Sequence, residues 1–483
     1  MLGFSPSIQL LFKIVYILDD QTEYISSEQL LRLLGESNIS QVKKMLRELK
    51  DYVDFCYSDD EISLVISKRN GIQLFRQPDS DLNQLLIHIS SQDLAYNIYT
   101  TLLFKRTTST SHFYEQHFVS LSTLQRKVKE INQSLHAYDL HITLSQQLTL
   151  HGKESTIRSF AFFFLYTIHQ QFSKIYWIEE KQKYQDWALK ISDVLELNLS
   201  STQHDILSLH LFVIDSAIIL DKKMSVDNSY YQFLNDAQFP KIPTFLENWP
   251  FVDWQFLLLM MYNSNLYSTE IPIKIHSANF KEIQAPLKDW IRLFNQYFGA
   301  LDSLQLDFLN EYFQKIYLRN YFFKYDDALI SAFQNNNFTM VKLANTFYLN
   351  QFQKFWAAFS QKHQFWAHSD FEIQSLLLCK SFLPEKKFIP VISLYLYTNL
   401  SSLLAEHIKQ DILCSFSDRF TLKFTNIPEQ SHLIIGNTSY KEAPLTKQQQ
   451  LIRIQTPLTK NDYKHIEQAI NQILFNESDH KEA

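Results

Sequence analysis

Basic and polar side chains recur at helical spacing in the stretch from Ser120 to Leu135. Its apolar residues fall three or four positions apart, which predicts an α-helix with one buried face. Lysine and arginine on the opposite face can neutralise backbone phosphates, and hydroxyl or amide side chains near the helix N-terminus can reach base edges. The hydroxyls of Ser120 and Ser122 are placed to cap the start of this helix. The residues that the pattern selects for DNA binding are Ser122, Thr123, Gln125, Arg126, Lys127 and Lys129.

Two short segments after this helix alternate apolar and polar residues, as half-buried strands do. They run from His141 to Leu144 and from Gln147 to Leu150, with a turn between them. A helix followed by such a hairpin is the outline of a winged helix-turn-helix.

The same pattern occurs earlier in the chain. Residues Ser40 to Leu49 align without gaps on Ser122 to Ile131, at an offset of 82 residues, and both the apolar and the basic positions coincide. The segment from Ser27 to Leu34, with Gly35 after it, predicts a helix and a turn. In a helix-turn-helix module these precede the second helix, which contacts DNA and is called the reading helix here. The chain therefore contains an internal repeat.

A hairpin is also predicted after the first copy, because Asn70-Gly71 is a strong turn signal between two alternating runs. These runs extend from Ile62 to Ile66 and from Ile72 to Phe75. The tip of this wing is basic. The DNA-binding residues predicted for the first copy are Gln41, Lys43, Lys44 and Arg47 on the helix and Lys68 and Arg69 on the wing.

Either basic helix on its own could be an ordinary surface helix with solvated charges. Two copies, each with a preceding helix and a following hairpin, favour DNA binding. The formal net charge of the chain is -6, so any nucleic-acid surface must be local. Residues 1–160 as a whole are not basic, and binding is therefore expected to require two subunits, DNA deformation, or both.

Length and composition indicate a folded protein of several domains, with 483 residues, 46% hydrophobic residues and 20% charged residues. The longest apolar runs are far shorter than the ~20 residues of a membrane span. The segment from Met1 to Leu18 lacks the basic start and the cleavage site of a signal peptide and predicts a buried helix. We expect a cytoplasmic protein without a membrane partner.

Nucleotide-dependent enzymes of two large classes are excluded by the glycines. The six glycines lie far apart, so neither a Walker A loop nor a GxGxxG fingerprint is present. The three cysteines are also far apart and have no metal-binding spacing. We find no catalytic signature, and we predict a protein that is not an enzyme and has neither a metal nor a cofactor.

The middle of the chain, from about Glu154 to Pro390, is aromatic-rich and largely helical in pattern. Prolines interrupt it, and Ala285-Pro286 is the predicted division between two helical bundles. Two histidines, His204 and His210, lie six residues apart on one predicted helix. Their directions differ by about 240°, so they cannot chelate one ion together.

The chain resembles the Mga/AtxA family of transcriptional and virulence regulators of Gram-positive bacteria. The resemblance is carried by Ser122-Thr-Leu-Gln-Arg-Lys-Val-Lys-Glu-Ile131 and Leu150-His-Gly-Lys-Glu-Ser-Thr-Ile-Arg158. It implies two phosphotransferase-system regulation domains, whose histidines can be phosphorylated by the phosphocarrier proteins of sugar uptake. By position His204 is the first candidate, followed by His210 and His276, and the second bundle offers no convincing histidine.

The tail has the alternating strand and helix pattern of an α/β domain. It is similar to phosphotransferase enzyme IIB, in which a cysteine or histidine directly after the first strand accepts the phosphoryl group. Here Tyr397-Thr-Asn-Leu-Ser401 occupies that loop, and Cys414 follows only after the next helix. The resemblance therefore implies an interaction domain without phosphoryl-transfer activity.

The predicted fold is mainly α and multidomain. It comprises winged helix-turn-helix modules at 1–80 and 81–160, helical-bundle regulation domains at 161–285 and 286–385, and a C-terminal enzyme IIB-like α/β domain at 386–483. This organisation predicts a homodimeric regulator that binds double-stranded DNA and is modulated by histidine phosphorylation. Two alternatives remain, an RNA-binding antiterminator with the same regulation domains and a phosphotransferase-system component.

Overall fold

The computed structural model describes residues 2–36, 38–224, 237–264, 266–267, 270–275, 281–319, 346–367, 369–438 and 449–481. The chain forms two compact units, Met1–Leu287 with Asp307–Asn337, and Lys288–Leu306 with Phe338–Ala483. The protein is mainly helical. Within the described ranges, every helix is too short or too polar to cross a membrane.

The first unit begins with a three-helix arrangement and a hairpin. Its elements are α1 Pro6–Asp19, α2 Ser27–Leu34, α3 Ile39–Cys56, β1 Ile62–Ser67 and β2 Gly71–Arg76. Helix α2 starts in a capping box, because Ser26 and Gln29 each bond the backbone of the other. Gly35 ends it with φ +68, a left-handed conformation that glycine adopts without strain. The predicted helix, turn, helix and hairpin of the first copy are confirmed.

A second helix-turn-helix follows. Its elements are α4 Asn83–Ser91, α5 Leu94–Lys105, β3 Thr107–Ser109, α6 Thr110–Gln116, α7 Leu121–Leu135, β4 His141–Leu144 and β5 Gln147–His151. The predicted helix and hairpin of the second copy are confirmed. Strand β3 was not predicted, and it pairs antiparallel with β5 to give a sheet in the order β3-β5-β4. Three residues are too few for an alternating pattern to show in the sequence.

Five further helices follow the second sheet. They are α8 Glu154–His169, α9 Lys181–Val194, α10 Ser201–Ile219, α11 Phe251–Asn263 and α12 Lys281–Tyr297. In α8 every residue except Tyr166 is buried. Burial on all sides places α8 in the interior of the first unit, where it packs against α4 and α10.

The predicted division between two bundles at Ala285-Pro286 does not coincide with the end of a helix. Pro286 lies inside α12 as its sixth residue, counted from Lys281. A proline near a helix start removes only one backbone hydrogen bond, to the carbonyl four residues earlier, and the helix continues through it.

Further helices and a C-terminal sheet follow in the described part of the chain. The elements are α13 Ser303–Leu318, α14 Thr346–Ser360, α15 Ser369–Phe382, β6 Val391–Tyr397, α16 Ser402–Phe416, β7 Thr421–Phe424, β8 Leu433–Gly436, β9 Gln450–Arg453 and α17 Lys460–Lys481. All strand pairs of this sheet are parallel, in the order β7-β6-β8-β9. Its inward residues share one core with α16 and α17. The alternating α/β pattern predicted for the tail is confirmed.

Candidate DNA-binding site

Helix α7 starts where its sequence predicts. Ser120 is the N-cap, and its Oγ accepts a hydrogen bond from the backbone N–H of Thr123 at 3.1 Å. This bond satisfies one of the N–H groups that the first turn of a helix leaves free. Leu124, Val128 and Ile131 are buried beneath the helix, so its opposite face points outwards.

The outward face of α7 carries the side chains that could meet DNA. Ser122, Gln125, Arg126 and Lys129 are exposed, whereas Thr123 is half-buried. Ser122 and Gln125 lie in the first turns, which in a helix-turn-helix approach the base edges. Arg126 and Lys129 are three residues apart and present two cations on the same side.

The predicted exposure of Lys127 is wrong, because this side chain is buried. Its Nζ donates a hydrogen bond to the carbonyl of Gly3 at 2.8 Å and lies 3.2 Å from a carboxylate oxygen of Glu130. It also lies 3.7 Å from Asp93 Oδ1. These partners hold the amine inside the first unit, so Lys127 is a structural residue and not a candidate phosphate contact.

Helix α3 presents the equivalent face in the first copy. Asn38 caps it through its side-chain oxygen, which accepts from the N–H groups of Ser40 and Gln41 at 3.1 Å each. The predicted residues Gln41, Lys43, Lys44 and Arg47 are all exposed. Helices α3 and α7 therefore share the position of the N-cap and an exposed polar face.

The first wing carries its predicted basic tip. Lys68 and Arg69 are exposed in the turn between β1 and β2, where Ser67 pairs with Gly71. Gly71 has φ +107, and a Cβ here would lie 2.5 Å from the carbonyl oxygen of Ile25. The close approach requires glycine and fixes the wing against the chain before α2.

The histidines predicted for regulation differ in accessibility. His204 is half-buried in the first turn of α10, and its Nδ1 donates to the carbonyl of Ser200 at 3.1 Å. That bond leaves the lone pair on Nε2. His276 lies outside the described residues.

His210 is buried and unsuited to modification by another protein in this structure. Its ring stacks on Phe162 with centroids 3.6 Å apart, and its Nδ1 lies 3.0 Å from the hydroxyl of Tyr267. Burial lowers the pKa of His210 to about 3. The position on the helix was visible in the sequence, but the depth of the side chain was not.

One histidine of the second unit was not selected from the sequence. His363 Nε2 lies 3.0 Å from Asp289 Oδ2, and this hydrogen bond holds the pKa of Asp289 below its usual value. The two residues are 74 positions apart. Only tertiary structure brings such a pair together, so no local pattern could have identified it.

A phosphoryl-accepting residue of the enzyme IIB type would lie in the loop directly after β6. The loop after β6 contains Thr398, Asn399 and Leu400, and Cys414 is exposed in the last turns of α16. Among the described side chains, no group of three or more His, Cys, Asp or Glu residues could hold a metal ion.

Residues 78–166 match the family model of the Mga helix-turn-helix domain. The matched range contains α7, β4, β5 and most of α8. The match supports a relationship between this chain and the Mga-like family of regulators. It indicates a DNA-binding transcription regulator. A comparison with curated proteins gives no match for this chain.

Proposed function

We propose that this chain is a transcriptional regulator of the cytoplasm that reads double-stranded DNA with α7, and that α3 supplies a second contact. The observation that carries the proposal is the exposed face of α7, which lies inside the range that matches the Mga helix-turn-helix domain. Ser122 and Gln125 would contact base edges, whereas Arg126 and Lys129 would contact phosphates. The first copy would add Gln41, Lys43, Lys44 and Arg47, and its wing would add Lys68 and Arg69.

Binding should depend on salt because it would release counterions from the phosphates. Replacing Arg126 and Lys129 together by alanine should lower the affinity for DNA. It should also reduce the slope of log K against log salt concentration by about 2, since each phosphate contact contributes about 0.9. The affinity is measured by fluorescence anisotropy at several salt concentrations, on genomic fragments selected by footprinting.

A matched control removes two cations from another surface. Lys190 and Lys223 are exposed outside both winged modules, so their double alanine variant changes the net charge equally. This control should bind DNA like the unaltered protein. Equal binding by all three proteins would refute the proposed reading surface.

We further propose that the helical region regulates this activity through His204. Its Nε2 lone pair and half-exposed position suit attack on a phosphoryl donor such as a phosphocarrier protein of sugar uptake. A phosphate would add about −1.5 to −2 charges, and at the start of α10 the helix dipole would stabilise it. His210 would require local opening before it could react, because its ring is buried.

Labelling distinguishes these histidines. Incubation with the general phosphocarrier proteins and a phosphoryl donor should transfer phosphate to the protein. His204→Ala should abolish the label and His210→Ala should not. A His204→Ala protein labelled to the same extent would remove His204 from this role.

The proposed regulator acts as a homodimer, since residues 1–160 as a whole are not basic and a second subunit would add its own contacts to DNA. Sedimentation with and without DNA should then show two chains per complex. A complex with one chain would contradict this part of the proposal.

A further inference from the structure

Four buried side chains of the first unit, alternately positive and negative, form a connected series of ion pairs, the charge chain. Arg106 donates to Glu154 at 2.5 Å, Glu154 accepts from Arg158 at 3.2 Å, and Arg158 pairs with Asp253. The exposed fractions of these side chains are 7%, 10%, 1% and 2%, in that order. Two cations and two anions balance, and removal of one leaves an uncompensated charge in a medium of low dielectric constant.

One end of the charge chain, Arg106, adjoins the second wing, which is the sheet of β3, β4 and β5. Arg106 connects α5 to β3, and its carbonyl accepts a hydrogen bond from the N–H of Leu150 in β5 at 2.9 Å. Its φ is +63, a conformation that costs an L-residue free energy. The ion pair with Glu154 holds Arg106 in this conformation and so fixes the backbone from which β3 and β5 are aligned.

The other end of the charge chain, Asp253, belongs to the helical region. Asp253 lies in the first turn of α11, and Arg158 also donates to the carbonyl of Lys222 at 2.8 Å. Lys222 lies three residues after the end of α10 at Ile219, and the first turn of this helix carries His204. Two helices outside the winged module therefore meet at Arg158, one turn along α8 from Glu154.

We infer that this chain of four charges transmits the position of α10 and α11 to the second wing, with Arg106 and Arg158 as positioning residues. Movement of either helix would change the contacts of Arg158. Arg158 would then compete with Arg106 for Glu154, because Glu154 would be the one carboxylate left between them. The inference deepens the proposed function, since it supplies the route by which the helical region would control DNA binding.

The test alters Asp253, the end of the charge chain that is distant from the proposed DNA-binding surface. Asp253→Asn retains the shape of the side chain and removes its charge, and it touches no residue of the wing. Amide hydrogen exchange of residues 107–109 and 147–151 should become roughly tenfold faster, within the range of coupling between members of one buried network. The affinity for the DNA fragments used above should fall roughly threefold to tenfold.

A buried aspartate outside the chain provides the matched control. Asp215 on α10 accepts from Lys183 at 2.8 Å, Tyr184 at 3.0 Å and Trp249 at 3.1 Å. Asp215→Asn should destabilise the helical region but leaves the partners of Arg158 in place, so wing exchange should increase less than in Asp253→Asn. Equal acceleration of wing exchange by both variants, or no acceleration by either, would overturn the inference.

A compensating variant covers the case in which Asp253→Asn folds poorly. Adding Arg158→Met leaves Arg106 and Glu154 as a balanced pair, so wing exchange should return towards that of the unaltered protein. Continued fast exchange in the double variant would count against the charge chain. The exchange measurement needs no DNA, so a protein that binds no DNA but responds in this way would refute only the proposed function.

Discussion

The amine of Lys127 and the carboxylate of Asp93 lie 3.7 Å apart in the interior of the first unit. Asp93 also accepts from the backbone N–H groups of Ser5 and Ala95, at 2.8 Å each, and thereby caps α5. Lys127 in turn donates to the carbonyl of Gly3. The reading helix of the second copy is thus tied to the N-terminal segment and to the start of α5.

Replacement of Lys127 by methionine should therefore affect folding and not the electrostatics of DNA binding. Loss of the amine leaves Asp93 with an uncompensated charge, since its side chain is only 2% exposed. We expect the free energy of unfolding to fall by roughly 2 to 4 kcal/mol, as for other broken buried pairs. Urea unfolding followed by tryptophan fluorescence measures this change, and the salt slope of DNA binding should stay the same.

Arg126→Met is the matched control, because Arg126 is adjacent on the same helix and exposed. It should change the free energy of unfolding by less than about 0.5 kcal/mol and should lower the salt slope by about 1. If Lys127→Met lowered the salt slope and Arg126→Met lowered the free energy of unfolding, Lys127 would be the residue that faces DNA.

Phe118 lies in the turn before α7 and should limit stability. It has φ +52 and its side chain is 95% exposed, so it bears the cost of a left-handed conformation and buries almost nothing. Phe118→Gly should raise the free energy of unfolding by about 0.5 to 1 kcal/mol, net of the extra freedom of glycine in the unfolded chain.

Phe118→Ala tests the cause of this gain. Alanine removes the aromatic ring but keeps the Cβ that makes a left-handed φ unfavourable. Thermal unfolding should therefore show a higher midpoint for the glycine variant than for the alanine variant. Equal midpoints would mean that backbone strain at this turn is negligible.

Two buried histidines should make the protein sensitive to mild acid. Burial lowers the pKa of His169 and of His210 to about 3, from 6.5. Between pH 6.5 and 3 each residue binds a proton in the unfolded chain but not in the folded one, so stability decreases as the pH falls. At pH 5 each histidine should cost about 2 kcal/mol relative to neutral pH.

Replacement of one histidine separates this titration from packing. His210→Gln should reduce the loss of unfolding free energy between pH 7 and pH 5 by about 2 kcal/mol, which is the share of a single residue. Leu211→Ala, at a fully buried neighbour on α10, should lower stability by the same amount at both pH values. An unaltered pH dependence in His210→Gln would show that folding does not lower the pKa of His210.

Local sequence patterns predict secondary structure correctly where the spacing of apolar residues determines which residues are buried. The cap at Ser120, the Asn70-Gly71 wing and the strand and helix pattern of the tail depend on residues within a few positions of one another. Such interactions are written into short stretches of sequence. The helix through Pro286 shows the limit of that guide, since one lost backbone bond does not end a helix near its start.

The sequence by itself determined the repeated helix-turn-helix pattern, the strand and helix order of the tail, and which side chains on α3 and α7 are polar. Only the tertiary structure decided which of those polar groups is buried. Lys127 and Arg126 are adjacent and chemically alike, yet Gly3 and Asp93 enclose the first and leave the second exposed. The charge chain likewise includes Arg158 and Asp253, a direct pair 95 positions apart in sequence. A buried charge is stable only when distant parts of the polypeptide bring it a partner.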